Sequence, residues 1–264
     1  MVIFTAKINI MKITLLQQDI VWANPEENQE LAYRAIKNAP KSDLYVLPEM
    51  WSTGFAIEPA GIAEKDHSSL NWMKQMAHRM DAAIAGSIAT EDNGKFYNRF
   101  YFVTPDWNEM HYDKHHLFTY GGEQNRYTSG NDKVVVEWRG VRFLLQVCYD
   151  LRFPIYSRNE ASGPNCYDVA LYIASWPSSR RAPWDTLLRA RAIENQCYVC
   201  GVDRIGTDAA CEYNGGTQII DPYGRLIKAC ADEEVCTIST DIDIDALYAF
   251  RKKFPVLGDR DYRL

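Results

Sequence analysis

Several features that would settle the class of this chain at once are missing from it. Its 264 residues contain no apolar run near the roughly 20 residues that a membrane-spanning helix needs. No secretory leader is expected either, because residues 1–10 hold one lysine and a short apolar stretch without a small-residue cleavage site. A basic excess is absent: the formal net charge is −6, whereas a sequence-independent nucleic-acid binder needs the opposite sign. The five histidines (His67, His78, His111, His115, His116) form neither an H-E-x-x-H pattern nor a zinc-finger spacing, so no metal is expected. There is also no low-complexity linker, no long proline or glycine run and no internal repeat. One domain over residues 11–264 is therefore expected. Residues 1–10 read as an N-terminal extension ahead of the stronger strand pattern that begins at Met11.

What is present is ordinary globular material, 47% apolar and 24% charged, in a chain long enough to bury a large core. The seven cysteines are odd in number and irregularly spaced, which predicts reduced thiols in a cytoplasmic protein. Cys197 and Cys200 form a C-x-x-C, but within the apolar run Cys197-Tyr198-Val199-Cys200-Gly201-Val202, which reads as a buried strand and not a redox or zinc site.

Hydrophobic periodicity predicts a strand over 12–19. A helix then starts at Asn24-Pro25-Glu26-Glu27, with a cap, a first-position proline and first-turn acids, and runs to about residue 39. A short strand over 44–47 is cut by Pro48; a helix at 69–80 and a strand at 82–88 follow. Strands are predicted at 97–104 and 108–112, and a hairpin at 134–138 and 141–147. Then come a short helix at 153–159, a buried strand at 169–174 and a helix at 183–195. The rest reads as strands at 197–203, 216–220, 226–229 and 235–241, with a last helix at 244–250. Alternation in the first half and hairpins elsewhere predict an α/β (α+β) fold, a mixed sheet covered by helices on one face.

Three strand ends carry residues fit for chemistry. The strand Phe143-Leu144-Leu145-Gln146-Val147 delivers Cys148 to a sharp turn, with Pro154 placed where a helix could begin. A nucleophile held this way sits beside fresh backbone N–H groups able to stabilise an oxyanion. A buried thiol of no function is the alternative at this position. A second strand, Leu44-Tyr45-Val46-Leu47, ends on Pro48-Glu49, where desolvation can tune the carboxyl as a base; a surface glutamate is the alternative. A third strand ends at Lys114, among apolar and aromatic neighbours, either as an electrophile for a carbonyl oxygen or as a solvated lysine.

Together, Leu47-Pro48-Glu49, Lys114-x-His116-Leu117-Phe118 and Cys148-Tyr149-Asp150-Leu151-Arg152-Phe153-Pro154 resemble the nitrilase (carbon–nitrogen hydrolase) superfamily in order and separation, over about residues 11–255. Ala174-Ser175-Trp176-Pro177, the segment from Arg189 to Gln196 and the late Lys253-Phe254-Pro255 are similar to the omega-amidase branch, in its bacterial 2-oxoglutaramate amidase form. The resemblance implies an αββα sandwich, a homodimer or larger homo-oligomer, and no cofactor. It implies hydrolysis of the terminal amide of short 2-oxo dicarboxylic acid monoamides through a cysteine thioester. Cys148 would be nucleophile, Glu49 general base, and Lys114 with the Tyr149 N–H the oxyanion donors. Glu123 would fix the lysine. A carboxylate on the substrate predicts a cationic anchor, for which Arg180 and Arg181 are the candidates, while Trp176 and Phe118 would wall the acyl pocket. A carbamoylase, an aliphatic amidase or a nitrilase would share the same three residues, and a non-catalytic binding protein on this fold is the reading of a different class.

Overall fold

The computed structural model describes residues 10–261. Its first half runs β1 (Ile10–Gln17), α1 (Pro25–Asn38), β2 (Leu44–Val46), α2 (Ser68–Met80), β3 (Ala83–Asp92), β4 (Lys95–Val103) and β5 (Glu109–Asp113). The hairpin of β6 (Val135–Trp138) and β7 (Val141–Val147) leads to β8 (Val169–Ala174), α3 (Arg181–Asn195) and β9 (Tyr198–Asp203). The short β10 (Ile205–Thr207) and β11 (Glu212–Asn214) pair with each other, and β12 (Gln218–Ile220), β13 (Leu226–Ala229), β14 (Cys236–Asp243) and α4 (Ile244–Lys253) complete the order. The expected extension lies outside the described residues except for Ile10, which opens β1 opposite Asp243.

The strands form two six-stranded sheets, β14-β1-β2-β3-β4-β5 and β13-β12-β9-β8-β7-β6. This corrects the single mixed sheet expected from periodicity alone. In each sheet three neighbouring strands are parallel, β1-β2-β3 in one and β7-β8-β9 in the other, and antiparallel strands extend the edges. Strand alternation decides the layers. Ile13, Leu15, Val46 and Phe102 of the first sheet meet Phe143, Leu145, Leu171 and Val202 of the second in one core. On the outer face of the first sheet, Leu16, Tyr45 and Ile84 pack under Ala32, Ile36, Met73 and Ala77 of α1 and α2. Leu144, Tyr172 and Val199 do the same under Trp184, Leu188 and Ala192 of α3. The order of layers is α-β-β-α, the sandwich expected from the family resemblance.

The helix starts follow their local chemistry. Asn24 caps α1, its side chain accepting from Glu27 N at 3.2 Å, with Pro25 in the first position. The short helix expected over 153–159 is absent. A 3-10 turn spans Cys148–Arg152, and irregular turns follow it. Pro154 disfavours helical geometry at Phe153, which sits at φ −116 and ψ 86. In the C-x-x-C run Cys197 stands just before the buried strand β9 and Cys200 within it, both free thiols.

Close approach of α3 to β9 requires a glycine at 201. A Cβ there would meet Leu188 Cδ1 at 2.4 Å and Trp184 Cζ2 at 3.0 Å. Gly201→Ala is therefore expected to lower stability by about 1–3 kcal/mol, the usual cost of overpacking, in a urea titration.

Candidate active site

Parallel strands place their carboxyl ends on one side of each sheet, and the candidate residues collect there. Glu49 lies three residues beyond β2, Lys114 directly follows β5, Cys148 follows β7 and Ser175 follows β8. Because β4 is antiparallel to both β3 and β5, the end of β5 points the same way as the end of β3.

Lys114 is fully buried with its ammonium between two fully buried carboxylates. Its Nζ lies 3.0 Å from Glu49 Oε1, and 3.2 and 2.9 Å from the two oxygens of Glu123. Asn98 of β4 bridges the acids from behind, donating to Glu49 Oε1 at 2.7 Å and Glu123 Oε1 at 3.3 Å. The remaining oxygens are occupied by backbone donors, Ser175 N on Glu49 Oε2 at 2.8 Å and Phe118 N on Glu123 Oε2 at 2.6 Å. Burial opposes the charge on Lys114, but Glu123 and then Glu49 outweigh it and hold the ammonium well above the ordinary lysine range. Burial pushes the Glu123 carboxyl up, against the pull of Lys114.

Cys148 sits at φ 47, in the left-handed region that a residue with a Cβ adopts only under constraint. Met50, immediately after Glu49, is held in the same region at φ 43. The constraint at the cysteine turn comes from Asp150. Its Oδ2 accepts from Val147 N at 2.9 Å and Tyr112 OH at 2.7 Å. Its Oδ1 accepts from His116 N at 2.9 Å and from the His116 ring at 2.8 Å. One buried carboxylate thus ties the turn after β7 to the segment carrying Lys114. Burial, followed by the charge of Glu49, pushes the Cys148 thiol well up, so the resting group is a thiol and its proton must be taken during any attack.

Lys114 and Cys148 open onto a cavity of about 710 Å³ whose wall includes Phe118, Tyr149, Trp176 and Arg180. Phe118 and Tyr149 stack edge-on with centroids 5.2 Å apart, and the Arg180 guanidinium lies 5.4 Å from the Phe118 ring centre. Trp176 is anchored by its backbone N–H, which donates to Asp203 Oδ1 at 2.8 Å, and by its indole N–H, which donates to the Arg180 carbonyl at 2.7 Å. Burial pushes the Asp203 carboxyl well up. Arg181, expected beside Arg180 as a substrate anchor, is instead drawn away from the cavity wall. It opens α3, and its guanidinium pairs with Asp185 at 3.0 Å and Asp232 at 2.8 Å. The second arginine on the wall is Arg152, 4.9 Å from the Trp176 ring centre. It was within the quoted cysteine motif but not singled out. Asn98 and Asp150 were likewise missed, although a polar residue inside the aromatic run Phe96-Tyr97-Asn98-Arg99-Phe100 was a usable signal.

The carbon–nitrogen hydrolase pattern matches residues 12–252, and the chain belongs to that family. It is a hydrolase acting on the carbon–nitrogen bonds of amides. Among curated relatives it is 43% identical to the omega-amidase YafV of Escherichia coli K12, over 95% of this chain and 97% of that protein. It is 34% identical to a 2-oxoglutaramate amidase of Bacillus subtilis, over 94% of this chain and 96% of that one. The crystal structure of XC1258 from Xanthomonas campestris, a CN-hydrolase superfamily protein with an arsenic adduct in its active site, superposes with a TM-score of 0.92. The two are 38% identical, with 97% of this chain and 99% of that chain covered.

The raised thiol predicts that alkylation of Cys148 by iodoacetamide keeps accelerating above about pH 9.5, one unit past the ordinary thiol pKa, where a free cysteine has levelled off. Mass-spectrometric rates against pH would check this, and a plateau at neutral pH would contradict it. Asp150→Asn sets an amide N–H against donors and is expected to cost about 1–3 kcal/mol of stability while slowing that alkylation.

Proposed function

We propose that the protein is an omega-amidase that removes ammonia from the terminal amide of short 2-oxo dicarboxylic acid monoamides, 2-oxoglutaramate and 2-oxosuccinamate. The observation that carries this reading is the fully buried Lys114 ammonium between Glu49 and Glu123, opening with the strained Cys148 onto a cavity that also bears two arginines. The names of the Escherichia coli and Bacillus subtilis relatives support the same substrate class.

In this mechanism Glu49, as general base, takes the thiol proton while Cys148 attacks the amide carbon. The developing oxyanion is met by the Lys114 ammonium and the Tyr149 backbone N–H, each such donor contributing about 3–4 kcal/mol. Glu49 passes the proton to the leaving nitrogen, the carbon–nitrogen bond breaks, and ammonia departs from a thioester. Water activated by the same carboxylate then cleaves the carbon–sulfur bond and restores the thiol. Glu123, together with Asn98, keeps Lys114 aimed. Trp176 and Phe118 wall the acyl group. The substrate carboxylate is gripped by Arg180 and Arg152, which both line the cavity and form no ion pair with an acid among the described residues.

Cys148→Ala is expected to abolish ammonia release from 2-oxoglutaramate while circular dichroism stays unchanged, and retained turnover would remove the nucleophile assignment. Arg180→Ala or Arg152→Ala should raise KM about tenfold to a hundredfold for the oxo-acid amide and leave a neutral amide unaffected. An equal rise for both substrates would mean general damage.

Two further points belong to this reading. A reducing, cytoplasmic location is part of the same proposal, supported by seven cysteines of odd number and irregular spacing. Among the described residues no helix is long and apolar enough to cross a membrane. Ile193, Tyr223, Leu226 and Phe254 are all about half exposed around the edge strand β13 and helix α4, and this apolar face is assigned to a homodimer. Light scattering after size exclusion should give a dimer mass, and Tyr223→Asp should shift it to the monomer.

A further inference from the structure

One short loop joins the edge of one sheet to the edge of the other. β13 is the outermost strand of the second sheet and β14 that of the first, and residues 230–235 lie between them. A cysteine stands at each end of this crossing, Cys230 directly after β13 and Cys236 as the first residue of β14. Cys230 is 6% exposed within the core between the sheets, and the partly buried Cys236 packs against the same core. The Cys230 thiol hydrogen-bonds Cys236, and Cys236 Sγ in turn donates to Thr237 O at 3.7 Å.

The loop is fixed along its length. Cys230 N donates to Thr217 O at 2.9 Å, and Cys236 stands opposite Gln17 of β1. The Gln17 amide clasps the loop, its Nε2 donating to Ala231 O at 2.8 Å and Glu234 O at 3.0 Å. Its Oε1 accepts from Gly216 N at 3.0 Å and Thr217 N at 3.1 Å, which ties the loop to the start of β12. Asp232 is held by Arg181 at 2.8 Å, and Glu233, at φ 61, donates its N–H to Asn214 O at 3.1 Å. A left-handed glutamate at a loop tip persists only where its surroundings fix the backbone. The two sulfurs are thus brought together by bonds that do not involve them, and joining them needs side-chain rotation without refolding.

We propose that Cys230 and Cys236 are the site of a reversible disulfide, which staples the two sheets at their edges when a small disulfide such as oxidised glutathione accumulates. Cys236, the more exposed thiol, loses its proton and attacks one sulfur of the reagent. The reagent's sulfur–sulfur bond breaks, and one glutathione leaves as a thiolate that takes up the proton. Cys230 then gives up its proton and attacks Cys236 Sγ, and the second glutathione leaves with that proton. Two protein thiols are oxidised and one glutathione disulfide is reduced to two thiols, with no further reactant. Burial pushes the Cys230 thiol up, which suits it to close the ring and not to open the exchange. The bond is independent of the amide chemistry at Cys148.

Trypsin releases both cysteines in one peptide, residues 229–251, which holds no other cysteine. The folded protein would be equilibrated in glutathione buffers at about pH 8, quenched with acid and digested, and this peptide weighed. It is expected to lose two hydrogens and to carry no glutathione. Half-conversion in the folded protein is expected under conditions about fiftyfold more reducing than for the synthetic peptide 229–251, the factor that loop-closure entropy gives a ring of this size. Half-conversion at the same ratio for both overturns the proposal, as does a stable glutathione adduct at Cys236 beside an unreacted Cys230. Cys230→Ser should leave Cys236 carrying glutathione. Cys236→Ser, at the partly exposed position, should keep its circular dichroism and leave Cys230 unmodified, and glutathione on Cys230 in that variant would overturn the order of attack.

Discussion

A buried lysine ammonium, Lys114, is the constraint around which the rest is arranged. A buried cation of this kind is tolerated only when acids meet it at hydrogen-bond distance, and removing one partner leaves an uncompensated charge. Glu49 and Glu123 supply the two carboxylates, and Asn98 and two backbone N–H groups occupy what remains of their oxygens. One of those donors, Ser175 N, comes from the end of β8 in the second sheet, 126 residues along the chain from Glu49. The charge cluster therefore closes the seam between the sheets where their strand ends converge. An apolar cluster could not select that register so narrowly, because dispersion contacts carry little direction.

Asp150 performs the matching task for the cysteine turn. Four hydrogen bonds on one carboxylate join Val147 to Tyr112 and His116, which fixes the proposed nucleophile relative to the lysine segment. Strain at Cys148 and Met50 persists because surroundings of this kind over-determine the backbone. Both sheets then line the cavity, the second bringing Arg152 and Arg180 and the first bringing Lys114 with Phe55 and Ile57.

Much of this was legible along the chain, for definite reasons. The starts of α1 and β1, the β6–β7 hairpin and the buried β8 announce themselves through caps, turns and alternation, which are local properties. Glu49, Lys114 and Cys148 could be singled out because each stands at or just beyond a strand end, and the family resemblance joined them. Arg180 and Arg181 could not be separated, since neighbours on a chain diverge according to what faces them. Asp185 and Asp232 took one, and the cavity kept the other. Pro154 looked like a helix start, yet its effect on Phe153 and the 3-10 turn before it excluded a helix.

The amino-acid order by itself determined which strands are buried, where they end and which reactive side chains stand at those ends. Periodicity of two and of 3.6 residues and the chemistry of proline and caps act within a few residues of each position. Only the tertiary structure decided that there are two sheets in place of one. The same is true of Asn98 and Asp150 becoming the struts of the site, and of Arg152 facing the cavity where Arg181 does not. Those outcomes depend on which strand ends meet across the seam. Partners tens to more than a hundred residues apart decide them, through distances and burial that no local pattern carries.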